Sequence, residues 1–159
     1  MADLLQTARL FEVGTRLQTA SSSLVRIAQG VAPDAGALKW AGNFLSQVDW
    51  TSGTGVGTQA GIDGGLAAAA TNTRPKFFAA LLRIQSKFKE VGINSDEEVY
   101  SFLKAMYRYL ESGGVEQDDL KAEHFMLAGE LLRVLSRSIM VELSHNGLPK
   151  REPILSIGK

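Results

Sequence analysis

The stretch 73-TRPKFFAALLRIQSKFKEVG-92 carries a clear helical pattern, because its apolar residues recur with the period of an α-helix. On a helical wheel these residues fall on one narrow stripe, which is the expected core face: Phe77, Leu81, Ile84 and Phe88. Thr73 is the expected N-cap, Pro75 fits the first turn because its missing N–H has no helical partner there, and Gly92 ends the helix. The stretch therefore predicts an amphipathic helix with one buried side.

The N-terminal part of the chain also predicts helices. Apolar residues recur at mostly helical spacing from about residue 3 to 30: Leu4, Ala8, Phe11, Leu17, Leu24 and Ile27. Gly14 and the run 19-TASSS-23 can break or kink such an element, so one long helix and two shorter helices both remain open. A turn at 33-PDAG-36 then starts a short amphipathic helix that ends near Trp50. Its apolar positions are Leu38, Ala41, Phe44, Leu45 and Val48.

Two further helices are expected after Gly92. Ser95 and Glu98 have the spacing of a capping box, and the helix that they start ends at 113-GG-114. A longer helix begins near Asp118 and stops at 146-NGLP-149, where glycine supplies a left-handed turn and proline prevents continuation. No segment alternates with period two, so we predict an all-α fold, a single-domain helical bundle. Its parts are N-terminal helices at 1–50, a Gly/Ala-rich connector at 51–72, core helices at 73–147 and a tail at 148–159.

The composition excludes several classes of protein. The chain has 159 residues, 45% of them hydrophobic, and a formal net charge of +0, so no global field directs it to nucleic acid or membrane. The absence of cysteine excludes disulfides, zinc–cysteine sites and thiol nucleophiles, and suits a reducing compartment. The start 1-MADLL-5 lacks the basic region of a secretory signal, and no apolar run approaches the ~20 residues of a membrane span. We therefore expect a cytoplasmic protein without a membrane partner.

The glycine-rich stretch 52-SGTGVGTQAGIDGG-65 contains an Ala-ended form of the dinucleotide fingerprint at 55-GVGTQA-60. That fingerprint works when a strand leads into the glycine turn and the next helix points its N-terminus at the pyrophosphate. Here the preceding residues 43–50 have a helical pattern, and no Lys-Ser or Lys-Thr pair follows as in a Walker A loop. The connector interpretation is therefore favoured over a phosphate cradle.

Catalytic and metal-binding patterns are missing from the sequence. His124 and His145 lie far apart, and neither adjoins a serine or carboxylate in a recognisable motif. We expect His124 to be a partly buried or surface side chain rather than a base or ligand. Acidic residues at 118–119 and 96–98 suit the first turns of helices, where the macrodipole favours negative charge. We therefore predict a non-enzyme with no cofactor, no catalytic residue and no metal site.

Basic residues are the stronger functional signal. Between Arg74 and Lys89 there are five cations and no acid: Arg74, Lys76, Arg83, Lys87 and Lys89. Lys76, Arg83 and Lys87 share one face of the helix, away from the core stripe, and lie in register for a phosphate backbone. Later helices add two i,i+4 pairs that extend a basic surface if the helices pack together: Lys104 with Arg108, and Arg133 with Arg137. The alternative interpretation is a solvated stripe without a ligand.

The segment 71-TNTRPKFF-78, followed by 81-LLRI-84, resembles the opening of the first core helix in small subunits of class 1 CRISPR effector complexes. Threonines, an arginine, a further basic residue and an aromatic begin that helix in type III members. Tyr100, 107-YRY-109 and the long C-terminal helix are similar in layout, while the N-terminal helices and glycine-rich connector resemble type IV subunits. The resemblance covers roughly residues 71 to 147.

The resemblance implies a non-catalytic subunit that stacks in several copies along a crRNA-bound backbone filament. Its implied partners are the backbone subunits, neighbouring copies of itself, and single-stranded or guide-paired nucleic acid. The implied binding residues are Arg74, Lys76, Arg83, Lys87, Lys104, Arg108, Arg133 and Arg137. Two alternatives remain open: a phage- or plasmid-encoded helical structural or regulatory protein that self-assembles without nucleic acid, and an enzyme that uses the glycine loop.

Overall fold

The computed structural model describes residues 4–48 and 73–142, and every segment of regular structure in these two ranges is helical. The helices are α1 (Leu4–Ala28), α2 (Ala35–Val48), α3 (Thr73–Arg83), α4 (Gln85–Glu90), α5 (Asp96–Glu111) and α6 (Ala122–Glu142). The predicted all-α bundle is confirmed. Several predictions lie outside the described residues: the connector at 51–72, Trp50, His145, the end of the last helix at 146–149 and the tail at 148–159.

Helices α1 and α6 run antiparallel and are joined by two buried hydrogen bonds. The Ser21 hydroxyl of α1 donates to the Gly129 carbonyl of α6 at 2.7 Å, and the Ser136 hydroxyl of α6 donates to the Gly14 carbonyl of α1 at 2.8 Å. Each helix thus supplies one glycine and one serine seven residues apart, and each serine lies opposite the other helix's glycine. We call these four residues the Gly–Ser seam.

The seam explains why α1 is one unbroken helix. Gly14 and the serine run, which left two shorter helices open, lie inside the interface and do not break α1. A Cβ atom on Gly14 would lie 2.5 Å from Met140 Sδ, so glycine leaves the space that the Met140 side chain of α6 occupies. The large residues around the seam are fully buried on both helices: Leu10, Val13, Leu17 and Leu24 of α1, and Leu131, Leu132, Leu135 and Ile139 of α6.

The buried face of α1 differs from the expected one at its N-terminal end. Phe11 is 57% exposed and Ala8 is also exposed, whereas Leu10 and Val13 are buried. Including Phe11 in the apolar face was therefore wrong. The residues of α1 that face α6 lie on the same side of the helix as the Gly–Ser seam. Phe11, the residue after Leu10, lies on the neighbouring side of the helix.

Helix α2 packs on α5 through a glycine. Asp34 caps α2, since its Oδ1 accepts from the Ala37 amide at 3.2 Å, and the helix begins at the expected turn. A Cβ atom on Gly42 would lie 3.0 Å from the Glu111 backbone nitrogen, so the backbones of α2 and α5 approach each other closely at this level. All five apolar positions expected on α2 are buried.

The predicted capping box and glycine stop of α5 are confirmed. The Glu98 amide donates to Ser95 Oγ at 3.1 Å, and Glu98 Oε1 accepts in return from the Asn94 amide at 2.9 Å. At the other end Gly113 and Gly114 both have positive φ, and their amides close the helix on the carbonyls of the last turn.

The expected single helix at 73–92 is interrupted at Ile84. Thr73, the expected N-cap, is the first helical residue of α3, but Ile84 has φ −103° and ψ 19°, and α4 starts at Gln85. The amides of Lys87 and Phe88 both donate to the Ile84 carbonyl, at 2.9 and 3.2 Å, which tightens the chain at this point. Burial nevertheless continues across the break, since Phe77, Ile84 and Phe88 all face the core and Leu81 is partly buried.

The last helix starts four residues later than expected, at Ala122. Asp118 adopts a positive φ of 48°, which a helix does not allow, and its carboxylate accepts from Arg108 Nε at 2.9 Å. His124 Nδ1 then accepts from the Lys121 amide at 2.9 Å and so satisfies one of the free amides at the start of α6. His124 is half-buried, in agreement with the expected partly buried or surface side chain, and it caps the start of α6.

We expect Gly129→Ala to destabilise the fold although alanine favours a helix more than glycine does. The new Cβ would lie 3.0 Å from Val25 Cγ2 and 3.1 Å from the Ser21 carbonyl oxygen, so α1 and α6 must separate. Overpacking of this kind costs about 1–3 kcal/mol. Chemical denaturation measures the effect.

Gly36→Ala is the matched control, because a Cβ there meets nothing closer than 3.7 Å. We expect it to leave the free energy of unfolding unchanged or slightly raised. A Gly129→Ala protein as stable as the Gly36→Ala protein would contradict the close approach of α1 and α6.

Candidate nucleic-acid interface

A carboxylate on α6 lies at the centre of a cluster of basic side chains. Arg133 Nε donates to Glu130 Oε1 at 3.0 Å and Arg133 Nη2 donates to Glu130 Oε2 at 2.5 Å, which is a two-point contact. Lys87 Nζ of α4 lies 4.0 Å from Glu130 Oε2. The Glu130 side chain is 21% exposed, that of Arg133 36% and that of Lys87 52%, so the cluster opens to solvent on its cationic side.

The electrostatics of Glu130 show which cations reach it. The hydrogen bond from Arg133 and the charges of Arg133, Lys87 and Arg137 hold the pKa of the Glu130 carboxyl below its ordinary value, against the opposing effect of burial. The hydrogen bond to Glu130 in turn raises the pKa of Arg133. Three cations from two helices therefore surround one carboxylate, and the cluster keeps a positive excess.

The expectation that no acid neutralises the basic stripe is thus wrong at Lys87. No acid lies between Arg74 and Lys89, and the carboxylate comes instead from α6, which packs against α3. Arg83 is exposed and lies one turn before Lys87 on the solvent side, because burial continues in register across Ile84. Neither Arg83 nor Arg137 forms an ion pair with another described side chain. We call Arg83, Lys87, Arg133 and Arg137 the basic face.

Two predicted residues lie at the start of α3. The guanidinium carbon of Arg74 lies 4.8 Å from the centre of the Phe78 ring, in a cation–π arrangement. Arg74 and Lys76 are both half-buried and both make further interactions. Lys76 precedes Arg83 by two helical turns, so the two residues share a side of α3.

The pair on α5 has a different environment. Lys104 Nζ lies 5.0 Å from the centre of the Tyr100 ring, and Arg108 Nη2 lies 2.9 Å from Asp118 Oδ2. Arg108 also lines an open cleft of about 660 Å³ whose other charged residues are acidic: Glu97, Glu98, Asp118 and Asp119. The structure therefore brings three of the eight predicted residues, Lys87, Arg133 and Arg137, around Glu130, with Arg83 one turn before Lys87, and it gives Arg108 an acidic setting instead.

An apolar groove between α3–α4 and the first half of α5 was not expected from the sequence. It has a volume of about 460 Å³, and its walls include Phe78, Leu81, Leu82 and Tyr100. Leu82 is 70% exposed and Tyr100 is 43% exposed, which is unusual for residues of this size. The signal in the sequence was the stripe formed by Phe78 and Leu82, which points away from the core stripe of the same helix.

The aromatic residues of the described ranges are mainly structural. Tyr109 is fully buried against Phe125, with ring centres 4.8 Å apart, and burial raises the pKa of its hydroxyl. Trp40 stacks on Phe44 at 5.3 Å, and the Arg16 guanidinium lies 5.7 Å from the Trp40 ring. Among the aromatic residues of the described ranges, Tyr100 at the apolar groove and Phe11 on α1 are exposed.

Residues 4–48 and 73–142 contain neither a cluster of metal ligands nor a membrane-spanning helix. Within these ranges no group of three histidine, aspartate or glutamate side chains lies close enough to hold a metal ion. Nor does any helix there combine the length and the apolar character needed to cross a bilayer.

Comparisons of the chain with protein-family models, with curated proteins and with solved structures found no match. The resemblance to CRISPR small subunits and the role of the basic residues therefore stay predictions, which rest on the residues and geometry described above.

We expect the protein to lose stability as the pH falls, in part because Glu130 becomes protonated. Its pKa in the folded state lies below the ordinary value of 4.5, so its stabilising contribution is complete above that value and is lost as pH falls through the folded pKa. Glu130→Gln should therefore flatten the loss of stability below about pH 4.5. Urea denaturation at a series of pH values measures this slope.

Glu98→Gln should also flatten the loss of stability below about pH 4.5, independently of Glu130. Hydrogen bonds from the Asn94 amide and from Ser95 lower the pKa of Glu98 at the start of α5. The two carboxylates are on different helices and share no partner, so their effects on the slope should add. A Glu130→Gln protein with the wild-type pH dependence would contradict the ion cluster.

Proposed function

We propose that this chain is a non-catalytic helical bundle that binds the phosphate backbone of single-stranded or guide-paired nucleic acid through the basic face. The single observation that carries the proposal is the convergence of Lys87 from α4 with Arg133 and Arg137 from α6 around Glu130. Lys87 precedes Arg133 and Arg137 by 46 and 50 residues in the sequence, and packing of α3 on α6 brings them together.

The exposure of the basic face supports phosphate binding. Arg83, Lys87 and Arg137 are exposed, while core residues on each of the same helices are buried: Phe77 of α3, Phe88 of α4 and Leu131 of α6. Such side chains contact a strand without any change to the core, and they recognise phosphate rather than bases. The proposal therefore includes affinity without sequence specificity, and the affinity weakens steeply with salt.

The expected setting is a ribonucleoprotein complex. Small subunits of class 1 CRISPR effector complexes, which residues 71–84 resemble, are helical bundles that lie along a crRNA-bound filament. We propose this role for the chain, with backbone subunits and copies of itself as protein partners. The exposed Leu82 and Tyr100 of the apolar groove supply a surface suited to protein contact.

Charge reversal on the basic face tests nucleic-acid binding. The variant Arg83→Glu with Arg137→Glu should weaken binding of a fluorescein-labelled single-stranded oligouridylate, measured by anisotropy, by about a hundredfold, since each removed contact to a charged group costs about 1.5 kcal/mol. Both side chains lie outside the core, so the melting temperature should stay close to that of the wild type.

Arg26→Glu with Lys39→Glu is the matched control. It changes the net charge by the same amount, at exposed positions on α1 and α2. We expect its affinity to fall only slightly, through the long-range field. Equal losses in the two variants would show that binding depends on total charge and would overturn the proposed site.

The apolar groove favours a second candidate, a helical protein that self-assembles without nucleic acid. In that case Leu82→Gln should lower the molar mass measured by light scattering, because Leu82 is 70% exposed at the groove. Val115→Gln is the control, at a residue that is 80% exposed outside the groove. Self-association that persists in high salt, together with no oligouridylate binding, would favour this candidate.

A further inference from the structure

Glu130 occupies the position on the basic face where a phosphate would be expected. Its two carboxylate oxygens accept from Nε and Nη2 of Arg133, at 3.0 and 2.5 Å. A guanidinium makes the same two-point contact with a phosphate, so carboxylate and phosphate compete for one set of donors. Lys87 Nζ, at 4.0 Å, and the charge of Arg137 act on the same carboxylate.

We infer that Glu130 is an internal counter-ion that holds Arg133 and Lys87 in the free protein and is displaced by a phosphate of the bound strand. This inference rests on the proposed function and adds a residue that sets its affinity. Glu130 weakens binding of every strand by the same factor, because it competes for phosphate contacts that carry no sequence information.

The exposure of the cluster permits the exchange. Glu130 is 21% exposed, so it lies at the inner side of the cluster, while Arg133 and Lys87 are 36% and 52% exposed on the outer side. A strand therefore reaches the cations without opening the core. The Lys87 contact is at the limit of an ion pair, and exposed pairs of this kind contribute little to stability. The contact that the phosphate must replace is thus the one with Arg133.

The position of Glu130 in α6 keeps the carboxylate at the cluster. Glu130 follows Gly129 of the Gly–Ser seam directly, and the backbone of Gly129 accepts the Ser21 hydroxyl at 2.7 Å. The seam therefore fixes the rotation of α6 about its axis at this residue. Arg133 lies three residues further along the same side of α6, and at this spacing its guanidinium reaches the Glu130 carboxylate.

Glu130→Gln tests the inference, because it removes the charge and keeps the size and one acceptor of the side chain. We expect this variant to bind the single-stranded oligouridylate about tenfold tighter than the wild type. The reason is that a charge-assisted contact, equivalent to about 1.4 kcal/mol, no longer has to be broken before the phosphate binds. The dependence of log Kd on log salt should steepen by about 0.7 for each further phosphate that the released cations bind.

Glu12→Gln is the matched control, since Glu12 forms an exposed i,i+4 pair with Arg16 on α1 and its replacement removes the same charge. We expect its affinity to stay within about twofold of the wild type, because Glu12 is exposed and pairs with Arg16 rather than with a cation of the basic face. Tighter binding of Glu130→Gln alone supports the inference. Wild-type protein that binds, with Glu130→Gln equal or weaker, overturns the inference and leaves the proposed function standing, while no binding by either protein overturns both.

A second readout needs no variant and covers a failure of Glu130→Gln to fold. The Nε–H signal of Arg133 in a ¹⁵N NMR spectrum reports its hydrogen bond to Glu130. Addition of the oligouridylate to the wild-type protein should shift this signal and leave the Arg16 signal, which reports the pair with Glu12, in place. An unmoved Arg133 signal in protein saturated with the strand overturns the inference.

Discussion

Two buried hydroxyl-to-carbonyl hydrogen bonds between α1 and α6 set the geometry on which the rest of the described structure depends. Ser21 and Ser136 each donate across the interface to a glycine carbonyl, at 2.7 and 2.8 Å. Because the two bonds lie seven residues apart on each helix, they fix both the register of the antiparallel pair and the rotation of each helix about its axis. The glycines permit the close approach, and large aliphatic residues bury the surface around them.

The same constraint positions the charges. Gly129 is followed by Glu130 and Ser136 by Arg137, so two residues of the ion cluster each directly follow a residue of the Gly–Ser seam. Helix α3 packs on α6, and the buried Ile84 and Phe88 orient α4 so that Lys87 meets Glu130. The basic face therefore results from helix packing, and its positive excess is the difference between three cations and one carboxylate.

The local signals in the sequence predicted the helices well. Caps and stops have short-range causes, which is why Ser95 with Glu98, the turn at 33–36 and the glycines at 92 and 113–114 were found. The late start of α6 was missed because Asp118 takes a positive φ while it pairs with Arg108, ten residues earlier. Gly14 and the serine run were ambiguous, although a glycine and a serine seven residues apart occur in both α1 and α6. That shared spacing was the available signal for the seam.

The candidate site was harder to predict, because its contacts join distant segments. The cations were visible as a stripe, but Glu130 lies 43 residues after Lys87, and only packing brings the two together. Arg108 matched the pattern of a basic pair and instead lines a cleft with four acidic residues, since both the start of α5 and the 118–119 turn contribute carboxylates there. A charge pattern along one helix thus predicts which side of that helix is basic, but not which residues of other segments lie beside it.

The salt dependence of strand binding by the wild-type protein tests the central claim most directly. If the basic face contacts phosphates, log Kd for a single-stranded oligouridylate rises linearly with log salt, with a slope of about 0.7 for each phosphate contacted. The four residues of the basic face predict a slope of about 2, below the value of about 2.8 for four contacts, because Glu130 competes for Arg133. An affinity that does not change with salt, or no binding at low salt, would contradict the account.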